Sequence, residues 1–344
     1  MIHIKNVFHM LSYAFRVLQE KGYQDIAAED FEHIEDLFAA ILIIGITGQI
    51  KRGLYREYEN KEEILKTPRG KIEISASIKE NTWQLRRVVC HRDEFTENTY
   101  MNRILKTAVL LLLRSNAVKR ERRACLRNQM GYLGSIEVLN PIFIDWQSLR
   151  YHRNNATYRM LMNICRFVIQ GMLLTTESGD KKVSDFVDDQ KMYRLYERFV
   201  LEFYRLHFPQ LGAASSQIEW NIDDGFDDFL PVMKSDIMLS YQGKTLIIDT
   251  KYYSQTMQYN PLFDSRSIIS QNLYQIFTYV KNKDPYASGD VSGLLLYAKT
   301  DEALTPDADY AFGGNRISVK TLDLGQDWQG IVEQLNLIGA GLVD

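Results

Sequence analysis

The sequence predicts an α+β or α/β chain in two parts: a mainly helical N-terminal domain with a small β insertion, then a mixed sheet flanked by helices. Three observations carry this. The first half repeats apolar residues at helical spacing, the second half alternates short strand-like runs with helices, and a polar stretch separates them. At 344 residues the chain is long enough for two cores.

In the first half, helices are expected over Val7–Leu18, Phe31–Ile44, Ile104–Leu113 and Tyr158–Leu173. Between the second and third, short alternating runs around Leu54–Tyr58 and Lys71–Ile74 flank Pro68 and Gly70, which suggests a β arm of about 52–89. Residues 1–175 are thus read as the first domain and 176–185, polar and carrying Gly179, as a linker. In the second domain, 186–344, a helix from about Phe186 to Phe208 precedes strands at Gln217–Ile222, Val232–Tyr241 and Lys244–Tyr252. A helix over Arg266–Lys281, strands at Val291–Tyr297 and Arg316–Leu324, and a helix from Trp328 complete the order.

Composition narrows the function. No apolar run is long enough to cross a membrane and no secretory signal opens the chain, so a cytoplasmic protein is expected. Cys90, Cys125 and Cys165 lie far apart and the six histidines form no ligand-spaced pair, which argues against a disulfide framework or a zinc site. A net charge of −3 argues against coating nucleic acid by bulk charge. One local exception runs from Arg114 to Arg127, where six basic residues meet one acid, Glu121. It reads either as a solvated helix face or as a phosphate or partner contact.

The chemistry concentrates after residue 230. Gln242-Gly243 between two strand-like runs is a hairpin signal, and a two-residue loop sets Asp236 opposite Asp249 across the ladder. Two opposed carboxylates repel unless a cation sits between them. Lys251, two residues beyond Asp249, shares its face, while Ile237, Leu239, Leu246 and Ile248 point into a core. Phosphodiester cleavage needs a hard cation to activate water, and carboxylates with the Thr250 backbone carbonyl suit Mg²⁺. A nearby lysine steadies the attacked phosphate. The spacing alone is unspecific: Glu59–Lys61, Asp180–Lys182 and Asp189–Lys191 repeat it without an opposed Asp on a strand. The competing reading is a surface salt bridge. Glu197, on the helix before the hairpin, reads by itself as a surface partner of Arg194 or Arg198.

In the next helix Gln275 and Tyr279 lie one turn apart on one face. This resembles the Q-h-x-x-Y motif of RecB-like nucleases in the PD-(D/E)XK superfamily, in which both residues border the metal site. Such nucleases often set a carboxylate on the helix before the hairpin near the metal, and on that resemblance Glu197 is a further candidate ligand. Ser235 stands where the superfamily's name places a proline.

The whole chain resembles the McrC family, the cleavage subunits of McrBC modification-dependent restriction systems. The similarity rests on Ile4-Lys5-Asn6-Val7-Phe8-His9-Met10-Leu11-Ser12-Tyr13-Ala14, Arg52-Gly53-Leu54, Arg69-Gly70-Lys71-Ile72, Asn102-Arg103-Ile104-Leu105-Lys106 and Ser270-Gln271-Asn272-Leu273-Tyr274-Gln275. The resemblance implies a restriction-endonuclease-like second domain that cuts double-stranded DNA with Mg²⁺ through Asp236, Asp249, Lys251, Gln275 and Tyr279. It implies a partner too, an McrB-like hexameric AAA+ GTPase that binds the GTP, since no P-loop occurs in this chain. The arm, with Arg52, Arg56, Arg69 and Lys71, is then expected to enter that ring. The alternatives are a stand-alone nuclease whose first domain binds DNA, favoured by the Arg114–Arg127 patch, and a non-catalytic adaptor, disfavoured by the intact Asp236/Asp249/Lys251 set.

Overall fold

The computed structural model describes residues 2–175, 189–225, 228–253, 256–260, 262, 264–299 and 305–343. The stretch 176–185, read as a linker, lies outside them. Along the chain come α1 (Ile4–Ala14), α2 (Lys21–Ala28), α3 (Ile34–Arg52), β1 (Glu57–Leu65), β2 (Lys71–Ile72), α4 (Ile74–Lys79), β3 (Val88–Thr96), α5 (Tyr100–Arg114), α6 (Arg120–Met130) and α7 (Ala156–Thr175). Then follow α8 (Asp189–His207), β4 (Gln217–Ile218), β5 (Met233–Lys234), β6 (Ile237–Tyr241), β7 (Lys244–Lys251), β8 (Met257–Asn260), β9 (Ser265–Ile268), α9 (Ser270–Lys283), β10 (Val291–Ala298), β11 (Ala308–Phe312), β12 (Asn315–Leu322) and α10 (Trp328–Val343).

The chain divides into two compact units, but not where its sequence suggests. Residues 38–173 form one, and residues 1–37 join 174–344 in the other. The first domain expected over 1–175 therefore gives up its opening segment. The reason is packing. Asn6, buried on α1, donates through Nδ2 to the carbonyls of Leu324 (2.9 Å) and Gln326 (2.8 Å), just ahead of α10. Tyr13 meets Phe199, Phe203 and Trp328 ring to ring, and its hydroxyl bonds the His207 ring at 2.7 Å. The opening motif thus fastens α1 to the C-terminal half.

In residues 38–173 the β arm is a three-stranded antiparallel sheet in the order β1-β3-β2. Gly70 holds φ +75°, and a Cβ there would lie 2.2 Å from the His91 carbonyl oxygen, so only glycine fits. Asn102, wholly buried on α5, ties the base of the arm. Its Nδ2 donates to the carbonyls of Tyr55 and Glu97, each at 2.8 Å, and its Oδ1 accepts from Tyr158 at 2.8 Å. Its neighbour Arg103 donates to Asn98 (2.9 Å) and pairs with Glu137 (3.5 Å). Asn102-Arg103, carried over from the family pattern, is therefore a structural node.

The other unit holds a five-stranded mixed sheet in the order β11-β12-β10-β7-β6, with β7, β10 and β12 parallel. Parallel neighbours demand a crossover, and α9 supplies the one from β7 to β10. It packs very close: a Cβ on Gly293 of β10 would lie 2.7 Å from Ile276 and 2.9 Å from Val280. On α8, Met192, Leu195, Phe199 and Phe203 are buried as their spacing implies, whereas Leu206 in its last turn is exposed. The expected mixed sheet flanked by helices is present. Its details differ in places. The helix expected from Arg266 begins at Ser270, because Met257–Asn260 and Ser265–Ile268 pair as a hairpin, and β11 adds an edge strand.

Candidate active site

The hairpin forms in the register its loop dictates: Tyr241 opposes Lys244 and Ile237 opposes Ile248. Gln242 and Gly243 take positive φ, as a tight turn requires. Ile237, Leu239 and Ile248 are fully buried. Beyond that pair the expectation fails. The ladder stops at Ile237, and Asp236 sits in a bend rather than opposite Asp249. The strand expected over 232–241 breaks because its two ends have different partners. Met233–Lys234 pairs with Gln217–Ile218, and Ser235 is fixed to Ser216 through its backbone N–H (3.0 Å) and its hydroxyl (3.1 Å). That N–H bond also explains the absent proline, which has no donor to give.

Where β6 has left β7, the Asp236 carboxylate fills the gap. Its Oδ2 accepts from both the backbone N–H and the hydroxyl of Thr250, each at 2.8 Å. The Tyr193 hydroxyl on α8 donates to the same carboxylate at 3.2 Å. Tyr193 was not singled out from sequence, although it lies one turn from Glu197 on α8.

β7 continues beside β10 after its last pairing with β6, and carries Asp249 and Lys251. Asp249 is 1% exposed and Lys251 5%, so their ion pair, 2.7 Å long, is not a surface salt bridge. Lys251 Nζ also donates to Gln275 Oε1 at 3.0 Å, and Gln275 Nε2 donates to the Tyr279 hydroxyl at 2.9 Å. The close seat of α9 on Gly293 sets this reach. Asp249, Lys251, Gln275 and Tyr279 are thus one connected chain, and Asp236 lies close enough to raise the Asp249 carboxyl. Asn272, from the same motif, is buried and donates to the Tyr297 hydroxyl at 2.8 Å.

The electrostatics show an excess of negative charge. Burial pushes the Asp249 carboxyl above the usual carboxylate range; Lys251 pulls it back and Asp236 adds to the rise. Burial works against the Lys251 ammonium, but Asp249 beside it prevails and raises it, so the lysine stays charged. Burial pushes Glu197 up to about 7, with Asp236 and Asp249 reinforcing it and Lys234 and Arg194 opposing. Arg198, considered as its partner, pairs with Glu202 at 3.0 Å. Burial and the same three carboxylates push the Tyr193 phenol up, keeping it a donor toward Asp236.

These groups suit a hard divalent cation. Carboxylate oxygens are its preferred donors, and positive charge beside Asp249 and Glu197 would offset the burial and the Asp236 charge that raise both. Among the described residues no group of three or more His, Cys, Asp and Glu side chains is placed to hold a metal ion. A cavity of about 390 Å³ on the other side of the sheet, lined by Leu294, Leu296, Lys320 and Leu342, includes none of these residues.

A pH effect follows from Glu197. Its folded value lies above that of an unfolded glutamate, so the folded chain keeps a proton the unfolded chain has lost. Stability from this group is full below about 4.5 and falls as pH rises through about 7. Glu197→Gln is therefore expected to stabilise the metal-free protein at pH 8 by about 1 kcal/mol, a figure discounted for solvent access. Thermal unfolding in chelator across that range checks it. Parallel curves for both proteins would contradict it.

The arm residues fare differently from one another. Arg56 pairs with Glu97 at 2.5 Å and Lys71 with Glu73 at 2.6 Å, while Arg69 is exposed and Arg52 Nε donates to the Gly48 carbonyl at 3.1 Å. No described helix is long and apolar enough to cross a membrane.

Fold and site together define an α+β protein whose mixed sheet holds a buried carboxylate–lysine pair beside a Gln/Tyr helix. The chain belongs to the McrBC 5-methylcytosine restriction system component family, whose model matches residues 4–298. It is 28% identical to the Type IV methyl-directed restriction enzyme EcoKMcrBC of Escherichia coli (strain K12) over 338 residues, 97% of this chain and 96% of that protein. Two solved structures also align with it. One is a half-complex from the tetradecameric assembly of Thermococcus gammatolerans McrB AAA+ hexamers with bound McrC, at TM-score 0.47 and 19% identity, covering 95% of this chain and 75% of that one. The other is the cryo-EM structure of the Thermococcus gammatolerans McrBC complex, at TM-score 0.42 and 21% identity, covering 58% and 56%.

Proposed function

We propose that this restriction-system component is the nuclease subunit, a Mg²⁺-dependent endonuclease of the PD-(D/E)XK type. It cuts double-stranded DNA when docked on an McrB-like AAA+ GTPase that recognises modified cytosine. The buried Asp249–Lys251–Gln275–Tyr279 chain beside Asp236 carries this reading. A structural protein gains little from burying such a pair, because the desolvation cost offsets the attraction.

Asp236, Asp249 and the Thr250 carbonyl would hold the ion, with Glu197 beside them. When bound, it supplies an activated water and offsets charge on the attacked phosphate. The chain's own residues do the rest. Thr250 and Tyr193 fix the Asp236 carboxylate from two sides. Gln275, itself bonded to Tyr279, orients the Lys251 ammonium, which Asp249 keeps charged, where a phosphate oxygen would gather negative charge. The arm, in residues 38–173, docks on the GTPase.

In a reconstituted mixture of this chain, its GTPase, methylated duplex and Mg²⁺, cleavage is expected only while GTP is present. Efficient cutting by the chain alone, without GTP, would replace this reading with a stand-alone nuclease.

A further inference from the structure

The cation-rich stretch falls on α6 and the residues just before it. Leu126 and Gln129 are the buried residues of this helix. Gln129 anchors it, donating to the Ile43 carbonyl (2.8 Å) and the Thr47 hydroxyl (2.9 Å) on α3. Such a narrow buried stripe leaves most of the circumference to water. On it Arg120 and Arg127 lie two turns apart on a single face, spanning about 10 Å of helix, with the half-buried Arg123 between them.

That arrangement works against the helix. Arg120 and Arg123, and Arg123 and Arg127, are like charges at spacings where side chains meet, and each such pair is destabilising. Several cations of the unit are matched: Arg56 with Glu97, Lys61 with Glu94, Arg92 with Glu63 and Lys71 with Glu73. Among the described residues no carboxylate pairs with Arg114, Arg120 or Arg127, and all three are exposed. These three arginines give an acidic chain a local positive face.

The composition of the face identifies its partner. Its exposed residues on α6 are Arg120, Glu121, Ala124, Cys125, Arg127 and Asn128, with no large apolar side chain among them. Protein interfaces are centred on aromatic and aliphatic anchors and depleted of charge at the core. Nucleic-acid interfaces are polar and positive. Five of the six cations are arginines, whose planar fork matches a phosphate in two bonds at once. We infer that α6, with Arg114 ahead of it, grips the phosphate backbone of duplex DNA without reading sequence or methylation. The choice of DNA rests on the nuclease reading above, but the contact itself does not depend on cleavage.

The test uses the full chain in chelator, where nothing is cut, with a short fluorescent duplex and a salt series. Each phosphate contact contributes about 0.9 to the slope of log affinity against log salt. The triple variant Arg114→Gln, Arg120→Gln, Arg127→Gln is expected to lower that slope by about 2 to 3 and to weaken low-salt binding about tenfold or more. The loss is equal for methylated and unmethylated duplex. Arg120→Gln alone, the milder change should the triple variant unfold, is expected to lower the slope by about 1. Cys125 is exposed on this helix while Cys90 and Cys165 are buried, so a fluorophore there should respond to the duplex. An unchanged slope in folded variants overturns the inference, and so does loss of GTPase co-elution with DNA binding intact. If no condition gives cleavage yet the slopes differ, the nuclease reading fails and this one stands.

Discussion

Asp249→Ala is expected to slow DNA cleavage by about a thousandfold or more, because it would remove the proposed metal ligand and the lysine's counter-charge together. Lys251→Ala should match it from the other side of the pair. The two substitutions differ in what they leave behind. Without Asp249, an ammonium that is 5% exposed loses its carboxylate and keeps only Gln275. Without Lys251, a carboxylate already pushed up by burial simply takes a proton at neutral pH. Removing one partner of a buried ion pair costs about 3 to 5 kcal/mol when the other must stay charged. Asp249→Ala is therefore the more destabilising, and Asp249→Asn, which keeps the shape, is the cleaner test of chemistry. Single-turnover cleavage with the partner and GTP, read beside a melting curve, separates the two effects. Wild-type cleavage by folded Asp249→Asn would remove Asp249 from the site.

What the sequence could reveal depended on whether a feature is local. The two-residue loop fixed the hairpin register, and with it the core side of Ile237, Leu239 and Ile248. The helical turn between Gln275 and Tyr279 put both on one face, and the hydrogen bond between their side chains follows from that spacing. The misses are contacts between distant segments. Asp236 left the ladder because Ser235 is bonded to Ser216, nineteen residues back, which no periodicity encodes. Residues 1–37 joined the C-terminal half through Asn6 and Leu324, more than three hundred positions apart. Asn102 looked like a family signature without a role; only its three partners, Tyr55 ahead of β1, Glu97 just after β3 and Tyr158 on α7, show that it fastens the arm. Tyr193 was visible as a neighbour of Glu197, but nothing short of the fold brings it to Asp236.

The arm should respond to substitution with a loss of GTP turnover in the partner rather than a loss of the nuclease site. Between β2 and β3 the arm exposes much of its apolar surface: Ile74 and Ile78 on α4, and Trp83 and Leu85 in the turn after it, all stand open to solvent. Exposed aromatic and aliphatic groups on a ribbon too small to bury them are what a partner's pocket takes up. The charges are less available than the sequence alone suggested, because Arg56 and Lys71 already hold Glu97 and Glu73. Arg52→Ala with Lys71→Ala is accordingly expected to reduce GTP turnover several-fold, chiefly through Arg52. Ile78→Ser with Trp83→Ser is expected to weaken complex formation by about a hundredfold, the scale of an interface anchor. Both lie in residues 38–173, outside the unit that holds Asp249, so neither should disturb the nuclease unit's own melting. Complex formation by size exclusion and GTP hydrolysis by phosphate release are measured on the same samples. If both stay at wild-type levels in the two double variants while Asp249→Asn still abolishes cleavage, the arm is scaffold and the GTPase docks elsewhere on the chain.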